Sequence, residues 1–188
     1  MVPEISSFAD TGAHRIRKIT PDGKIQTIAG NGVVGFKGDG GPATAAELSI
    51  PQSLAIDANG NLYIADPPEH TIRKINPAGV ITTFAGTPGG YGFAGDGGPA
   101  NQARLYLPRA VAVDGGGNVW IADSANGRIR EVTSNGVITT ASDSGYSCSV
   151  WLLIRTAISI THPVIWAIFT QALFHSHRLR QRSRGTAS

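Results

Sequence analysis

The sequence is short of cysteine, of aromatic residues and of charge. A single cysteine, Cys148, in 188 residues excludes a framework of intrachain disulfides. Charged residues make up 15% of the chain and hydrophobic residues 41%, which is too apolar a balance for a disordered protein. No basic stretch followed by an apolar run opens the chain between Met1 and Phe8, so the sequence does not indicate export, and the compartment stays open.

Glycine and proline, in contrast, are abundant. The chain holds 24 Gly and 11 Pro, a content that interrupts helices too often for a helical bundle. Short strands joined by glycine-rich turns fit this composition better. The composition therefore predicts an all-β fold.

A long internal repeat defines the architecture. The segment Gly-Asp-Gly-Gly-Pro-Ala stands at residues 38–43 and again at 95–100, and Ile-Ala-Asp stands at 64–66 and again at 121–123. Both pairs are offset by 57 residues, and a partial third copy precedes them around Ala9 and Asp10. A period of this length is typical of an array in which each repeat forms one unit and packs on its neighbours.

One repeat contains four short apolar runs, which predicts a four-stranded antiparallel sheet. The Asp57–Gly60 stretch favours a hairpin turn between the first two runs. Leu62 and Ile64 would share one face of the second strand and Tyr63 and Ala65 the other, as expected for a sheet buried on both sides. The predicted strands are residues 53–57, 61–65, 71–75 and 80–85.

The first two strands of each repeat carry sequences that resemble a known family. Leu-Ala-Ile-Asp-Ala-Asn-Gly-Asn-Leu-Tyr-Ile-Ala-Asp at 54–66 and Val-Ala-Val-Asp-Gly-Gly-Gly-Asn-Val-Trp-Ile-Ala-Asp at 111–123 are similar to the core motif of NHL repeats. The Gly-Asp-Gly-Gly-Pro-Ala loop resembles that of bacterial members with long repeats. The resemblance implies an incomplete β-propeller of four-stranded antiparallel blades, because two and a half repeats cannot close a ring that usually has six blades.

The resemblance also suggests a function. It implies a scaffold that presents loops to a protein or carbohydrate ligand, with no cofactor and no catalysis of its own. The alternative is a fragment of a propeller hydrolase or lyase, similar to metal-dependent lactonases. Open blade edges of an incomplete ring would also favour association between molecules.

Four residues are candidates for ligand contact: Asp39 and Asp96 in the glycine-rich loops, and Arg73 and Arg130 on the third strands. Each also has a structural interpretation, which we favour. Pro42 and Pro99 suit the first position of short helices at 43–48 and 100–105, with the aspartates accepting bonds from nearby backbone amides and Leu48 and Leu105 pointing inward. The arginines fit an outer solvated strand with local ion pairs, and no aromatic platform for nucleic acid accompanies them.

Asp57 and Asn59 match the beginning of a calcium loop. The second copy has Gly116 in place of the middle ligand, and no glutamate closes either loop, so a hairpin turn is favoured over a Ca²⁺ site. Among the five histidines no spacing suggests a metal site or a catalytic triad. We therefore predict no metal, no cofactor and no enzymatic activity.

The repeat pattern ends near Ser147. Residues 1–147 hold 11 Lys/Arg and all 13 Asp/Glu, whereas residues 148–188 hold five arginines and no acid. We therefore predict a propeller fragment over 1–147 and an irregular or helical tail over 148–188.

When the third base of each codon is joined to the first two bases of the next codon, the codons for Ser149–Ile160 are compatible with another blade motif, which favours a shifted reading frame. A membrane tail, with 19 uncharged residues at 156–174, and a disordered extension are the alternatives. We expect the partner to be neither a nucleic acid nor a membrane.

Overall fold

The structure, a computed structural model, describes residues 6–143. Its strands form three antiparallel sheets in which neighbours in sequence are neighbours in space. The predicted all-β propeller architecture is confirmed, and the predicted strands of the repeat agree with the observed ones within one residue. The strands are β1 Ser6–Asp10, β2 Arg15–Ile19, β3 Ile25–Ala29, β4 Ser53–Ile56, β5 Leu62–Asp66, β6 Thr71–Ile75, β7 Ile81–Ala85, β8 Pro108–Val113, β9 Val119–Asp123, β10 Arg128–Val132 and β11 Ile138–Asp143.

The sheets are successive blades of the propeller. Blade 1 consists of β1, β2 and β3, blade 2 of β4 to β7, and blade 3 of β8 to β11. In register, β1 to β3 correspond to the last three strands of the complete blades, because Arg17, Arg73 and Arg130 are equivalent positions in β2, β6 and β10. Among the described residues, blade 1 therefore has no counterpart of the first strand.

Side chains from the faces of neighbouring blades form the core. Leu62 and Ile64 of β5 pack towards blade 1, with Ile16 and Ala29. The alternate residue Tyr63 packs towards blade 3, with Val119 and Ile121 among others. Each sheet is thus apolar on both faces, as the alternation in β5 predicted. Burial of both faces explains why one blade needs a neighbour.

Long loops join one blade to the next and also cover the outer edge of the blade that they enter. Gly-Asp-Gly-Gly-Pro-Ala at 38–43 bonds to the outer edge of β7, and the copy at 95–100 bonds in the same way to β11. The outer edges of blades 2 and 3 are therefore not open. Edge coverage of this kind prevents the strand from pairing with other chains.

The helices predicted after Pro42 and Pro99 are shorter than expected. A single 3-10 turn, at Ala43–Ala45 and at Ala100–Gln102, replaces each. Both prolines lie one position before the turn, in extended backbone that lets them bridge to the neighbouring strand. The following residues turn away so that Leu48 and Leu105 can enter the core, where both are fully buried as predicted.

No helix within residues 6–143 is long and apolar enough to cross a membrane. The chain divides into two units, Met1–Ala157 and Ile158–Ser188. The second unit, and with it the predicted tail at 148–188, lies outside the described residues. The boundary at 147, the shifted frame and the membrane alternative stay predictions.

Candidate functional site

The connections between strands lie on two opposite sides of the blades. Tight hairpins such as 57–61 and 76–80 lie on one side, because they follow the first and third strands of a blade. The short turns at 67–70 and 124–127 lie on the other side, where the long loops 30–52 and 86–107 also begin and end. We call this second side the loop side. It is the candidate ligand-binding surface, since loops on a rigid scaffold are the usual carriers of binding function.

The aspartate of the repeated Ile-Ala-Asp motif anchors the loops on this side. The Asp66 carboxylate accepts hydrogen bonds from the backbone amides of Ser49 and Ile50, at 2.8 and 2.7 Å. Asp123 accepts in the same way from the Tyr106 amide at 2.6 Å. Burial raises the pKa of both aspartates above the ordinary value, although the amide bonds act in the opposite direction. These buried carboxylates therefore hold the ends of the loops at fixed positions.

Three rings form a cluster on the loop side. The His70 ring lies 5.7 Å from the Tyr91 ring and 5.5 Å from the Tyr106 ring, and the two tyrosine rings are 5.5 Å apart, between centroids. His70 belongs to blade 2, and both tyrosines belong to the loop that enters blade 3. Tyr91 is 64% exposed and Tyr106 is 36% exposed. The cluster is thus anchored but open to solvent, and it stands where two blades meet.

The backbone conformation of His70 and one hydrogen bond to its ring hold this side chain in the cluster. Its backbone has a left-handed conformation at φ 59°, and its ring nitrogen Nδ1 accepts a hydrogen bond from the Leu107 amide at 3.3 Å. Burial lowers the pKa of His70, with Glu69 acting in the opposite direction. The lowered pKa favours the uncharged form of the ring, which packs with the two tyrosines as an aromatic surface.

The four residues predicted for ligand contact form two equivalent ion pairs. The Arg73 guanidinium donates to Asp39 at 2.6 Å, and the Arg130 guanidinium donates to Asp96 at 2.6 Å. A weaker contact joins Arg130 to Asp123 at 3.4 Å. Both pairs link a loop to the third strand of the blade that it covers. The structure thus brings each aspartate together with one arginine, and ligand contact by these four residues stays a prediction.

The interpretation of the third strand as an outer solvated strand was wrong. Arg73 and Arg130 are fully buried, because the loop before each blade lies over them. No aromatic platform for nucleic acid was found beside these arginines in the sequence, but one aromatic ring packs on each guanidinium, which was not foreseen. Phe36 stacks on the Arg73 guanidinium at 4.5 Å, and Phe93 stacks on that of Arg130 at 4.9 Å, from charge centre to ring centroid. Of the predicted local ion pairs, Arg130 makes the one to Asp123 at 3.4 Å, but the closer partners of the two arginines are the loop aspartates.

Asp39 accepts hydrogen bonds from partners other than the ones predicted. One Asp39 oxygen accepts bonds from the Thr83 amide at 2.9 Å and from the Thr83 hydroxyl at 2.6 Å. Thr83 lies on β7, far along the chain, and the predicted partners were amides close to Asp39 in the loop. The loop folds back against the strand that it covers, which brings these distant groups together.

Asp57 and its counterpart Asp114 organise the first hairpin of each blade. Asp57 accepts bonds from the amides of Asn59 and Asn61 and from the Tyr63 hydroxyl. Burial acts to raise the pKa of Asp57, but these hydrogen bonds outweigh it and the pKa lies below the ordinary value. The same balance lowers the pKa of Asp114. Both aspartates thus serve the hairpin turn that the sequence favoured.

No three His, Cys, Asp or Glu side chains in the described part of the chain are close enough together to hold a metal ion. The alternative that the chain is a fragment of a propeller hydrolase or lyase stays a prediction.

Sequence reasoning missed the ring cluster. Its signal is present, since Tyr91 stands 57 residues after Val34 and Phe93 stands 57 after Phe36. An apolar residue therefore recurs in a polar, glycine-rich loop at the same place in each repeat. The proximity of His70 could not be predicted, because it depends on how adjacent blades pack.

Comparison with known proteins agrees with this architecture. The sequence pattern of the Teneurin NHL domain matches residues 35–91 and 86–162. Human Teneurin-4 is 36% identical over 105 residues, which is 50% of this chain and 4% of that protein. The chain thus spans a small part of this animal relative, and the bacterial origin suggested by the resemblance is not shown.

Solved structures show the same fold. A structural-genomics protein of unknown function from Bacteroides thetaiotaomicron aligns with a TM-score of 0.58 and 26% identity, over 68% of this chain and 32% of that one. A catalytically inactive virginiamycin B lyase from Staphylococcus aureus aligns with a TM-score of 0.51 and 21% identity, over 77% of this chain and 40% of that one. An identity of 21%, as with the lyase, supports a shared fold and nothing more. The blades have four strands, the motif is repeated, and the family pattern matches more than half of the chain. The chain therefore belongs to the Teneurin NHL domain family.

Proposed function

We propose that the chain is a repeat scaffold that binds a protein ligand through its loop side and carries out no catalysis of its own. The observation that supports this most is the cluster of His70, Tyr91 and Tyr106, which is exposed and yet rigidly anchored. Tyrosine is enriched at the centres of protein interfaces, because its ring buries a large area and loses little conformational entropy.

Further apolar residues extend this surface along the repeat. Val34, the counterpart of Tyr91 in the preceding loop, is 59% exposed, and its neighbour Val33 is also exposed. Phe93 is 44% exposed and lies 4.0 Å from the Arg128 guanidinium, which adds a cation to the aromatic surface. Successive blades thus present apolar groups at the same position, as expected for a scaffold that binds an extended partner.

The two buried ion pairs have a supporting role in this proposal. Asp39 and Asp96 tie the loops to Arg73 and Arg130, and the same loops carry Val34 and Tyr91. Loops held in this way lose little entropy when a ligand binds, which favours affinity. We propose that these four residues act mainly by fixing the loops.

The test uses a random peptide library on phage as the probe, selected on the full chain. We expect most of the selected peptides to lose binding to a Tyr91→Ala/Tyr106→Ala double variant. An Ile56→Ala variant serves as the matched control, because Ile56 is exposed at the opposite end of a strand. The melting temperatures of the variants check that the fold is intact.

The proposal fails if the selected peptides bind the double variant as well as they bind the original chain. Binding to a glycan array that depends on Tyr91 and Tyr106, with no selectable peptides, would indicate a carbohydrate ligand in place of a protein.

A further inference from the structure

Two histidines at equivalent positions of the repeat differ in how their rings are bonded. His14 and His70 stand 56 residues apart, each just before the third strand of its blade, and both have a left-handed backbone. Nδ1 of His14 lies against the backbone oxygen of Ser49. Nδ1 of His70 lies 3.3 Å from the backbone nitrogen of Leu107. The first ring therefore meets an acceptor, whereas the second meets a donor.

These two contacts respond to a proton in opposite ways. A carbonyl oxygen only accepts hydrogen bonds, so Nδ1 of His14 must carry a hydrogen, and the contact persists when the ring becomes charged. A backbone amide only donates, so Nδ1 of His70 must present its lone pair to Leu107. A proton on that nitrogen would place two N–H groups face to face. Only the neutral ring of His70 can hold the Leu107 amide.

The difference begins at the aspartate of the repeated Ile-Ala-Asp motif. In the earlier repeat, the Asp66 carboxylate accepts from the Ile50 amide at 2.7 Å. In the later repeat, one oxygen of the counterpart Asp123 accepts from the amide that precedes Leu107, and the other accepts from the Asn126 side chain at 2.8 Å. Leu107 stands at the position of Ile50, offset by 57 residues. Its amide is thus bonded to a titratable ring where the earlier repeat uses a carboxylate.

The backbone of Leu107 makes this bond important for the loop. Leu107 has a φ of 49°, a left-handed conformation that is unfavourable for a residue with a branched side chain, whereas Ile50 does not have a positive φ. Such a conformation persists only where surrounding contacts impose it. Leu107 directly follows Tyr106, whose ring packs on His70. Loss of the bond would therefore let Leu107 relax and would displace Tyr106 from the cluster.

The groups around His70 determine when its ring takes up a proton. Glu69 is next to it in the turn, and its carboxylate accepts from the Ser49 hydroxyl. From the loop, the titratable side chains that face the ring are Tyr91 and Tyr106. Burial lowers the pKa of His70, and Glu69 acts in the opposite direction. The stability that the neutral ring contributes is therefore present above the ordinary pKa of histidine and is lost as the pH falls through the folded value.

We propose that His70 is a pH-sensitive latch, in which a proton on the ring releases the Leu107 amide, loosens the end of the loop 86–107 and weakens ligand binding by the ring cluster. The ring is half-buried, so the proton comes directly from solvent. Histidine suits this role because its charge changes close to neutral pH. The effect on binding rests on the proposed function, whereas release of the amide requires no ligand.

Hydrogen exchange of the Leu107 amide, followed by NMR in the 15N-labelled full chain without ligand, tests the latch itself. We expect its protection factor to fall about fivefold between about pH 7.5 and about pH 5, as for the loss of one hydrogen bond. The protection factor already corrects for the effect of pH on exchange in an unfolded chain.

Two variants assign the effect to one ring. His70→Asn removes the titrating group and keeps a residue that tolerates the left-handed backbone, so the protection of Leu107 should no longer depend on pH. His14→Asn is the matched control at the equivalent position, and it should keep the fivefold change. Melting temperatures at neutral pH check that both variants are folded.

Binding is measured with peptides selected on the original chain from the random phage library, restricted to those without His, Asp or Glu. We expect about fivefold weaker binding at about pH 5 than at about pH 7.5 for the original chain and for His14→Asn, and no such loss for His70→Asn.

Constant protection of Leu107 over this pH range overturns the latch, and so does an equal fall in protection in His70→Asn. A latch that opens while peptide binding is unchanged overturns the regulation of the loop side. If no peptide is selected, the proposed function fails, and the exchange measurement alone supports or overturns the latch.

Discussion

The pair between Asp39 and Arg73 gives the sharpest prediction about stability. Asp39 accepts three hydrogen bonds, from the Arg73 guanidinium at 2.6 Å, from the Thr83 amide at 2.9 Å and from the Thr83 hydroxyl at 2.6 Å. The Arg73 side chain has no exposure, whereas that of Asp39 is 36% exposed. Asp39→Ala would therefore leave a buried charge without its carboxylate.

The cost follows from the burial of the two partners. Removing one partner of a fully buried ion pair costs about 3–5 kcal/mol of the free energy of unfolding. Because water can reach the position of Asp39 and solvate the guanidinium in part, we expect about 2–3 kcal/mol. For a domain of this size, that loss lowers the melting temperature by roughly 6–12 °C.

Thermal unfolding followed by circular dichroism measures this effect. The matched control is Asp22→Ala, which removes an exposed carboxylate from an ion pair with Lys24 in a hairpin. We expect that variant to melt at the temperature of the original chain, since exposed pairs contribute little. Equal melting temperatures for Asp39→Ala and Asp22→Ala would refute the assignment of the pair as a structural lock.

Three further predictions concern the packing and the turns. Gly95→Ala should lower the melting temperature more than Gly97→Ala in the same assay: both glycines have positive φ, but only at Gly95 would an added Cβ lie 2.6 Å from a backbone atom. Ile64→Ala should reduce the free energy of unfolding in urea by about 2–5 kcal/mol, because it opens a cavity between blades, and Ile56→Ala, at an exposed site, should have little effect. The pKa of Asp114 is lowered in the fold, so its contribution to stability is present above the ordinary pKa and is lost as the pH falls through the folded value. The difference in melting temperature between the original chain and Asp114→Asn should therefore be larger at pH 7 than at pH 3; an equal difference at both pH values would contradict this.

The sequence determined the blades well because local signals and the repeat agreed. Asp57 and Gly60 mark the turn between two strands, and alternation within β5 separates two buried faces. Such turn and periodicity signals depend on residues that are close along the chain. They needed no knowledge of how the blades pack.

The roles of the loop residues could not be predicted in the same way. Asp39 and Arg73 are 34 residues apart, and their pairing depends on the loop folding back over the next blade. Sequence reasoning placed Arg73 on an outer solvated strand with local ion pairs, because arginine is rarely fully buried. Similarly, His70 meets Tyr91 and Tyr106 only through the packing of two blades. Long-range contacts of this kind leave no local pattern.

The most direct test of the account is a hydrogen exchange measurement on the full chain, with and without a peptide selected from the random library. Ligand binding at the loop side predicts slower exchange in residues 67–70 and 86–107 and unchanged exchange in the hairpins at 57–61 and 76–80. Slower exchange in those hairpins, with the loop side unchanged, would contradict the assignment of the loop side as the binding surface.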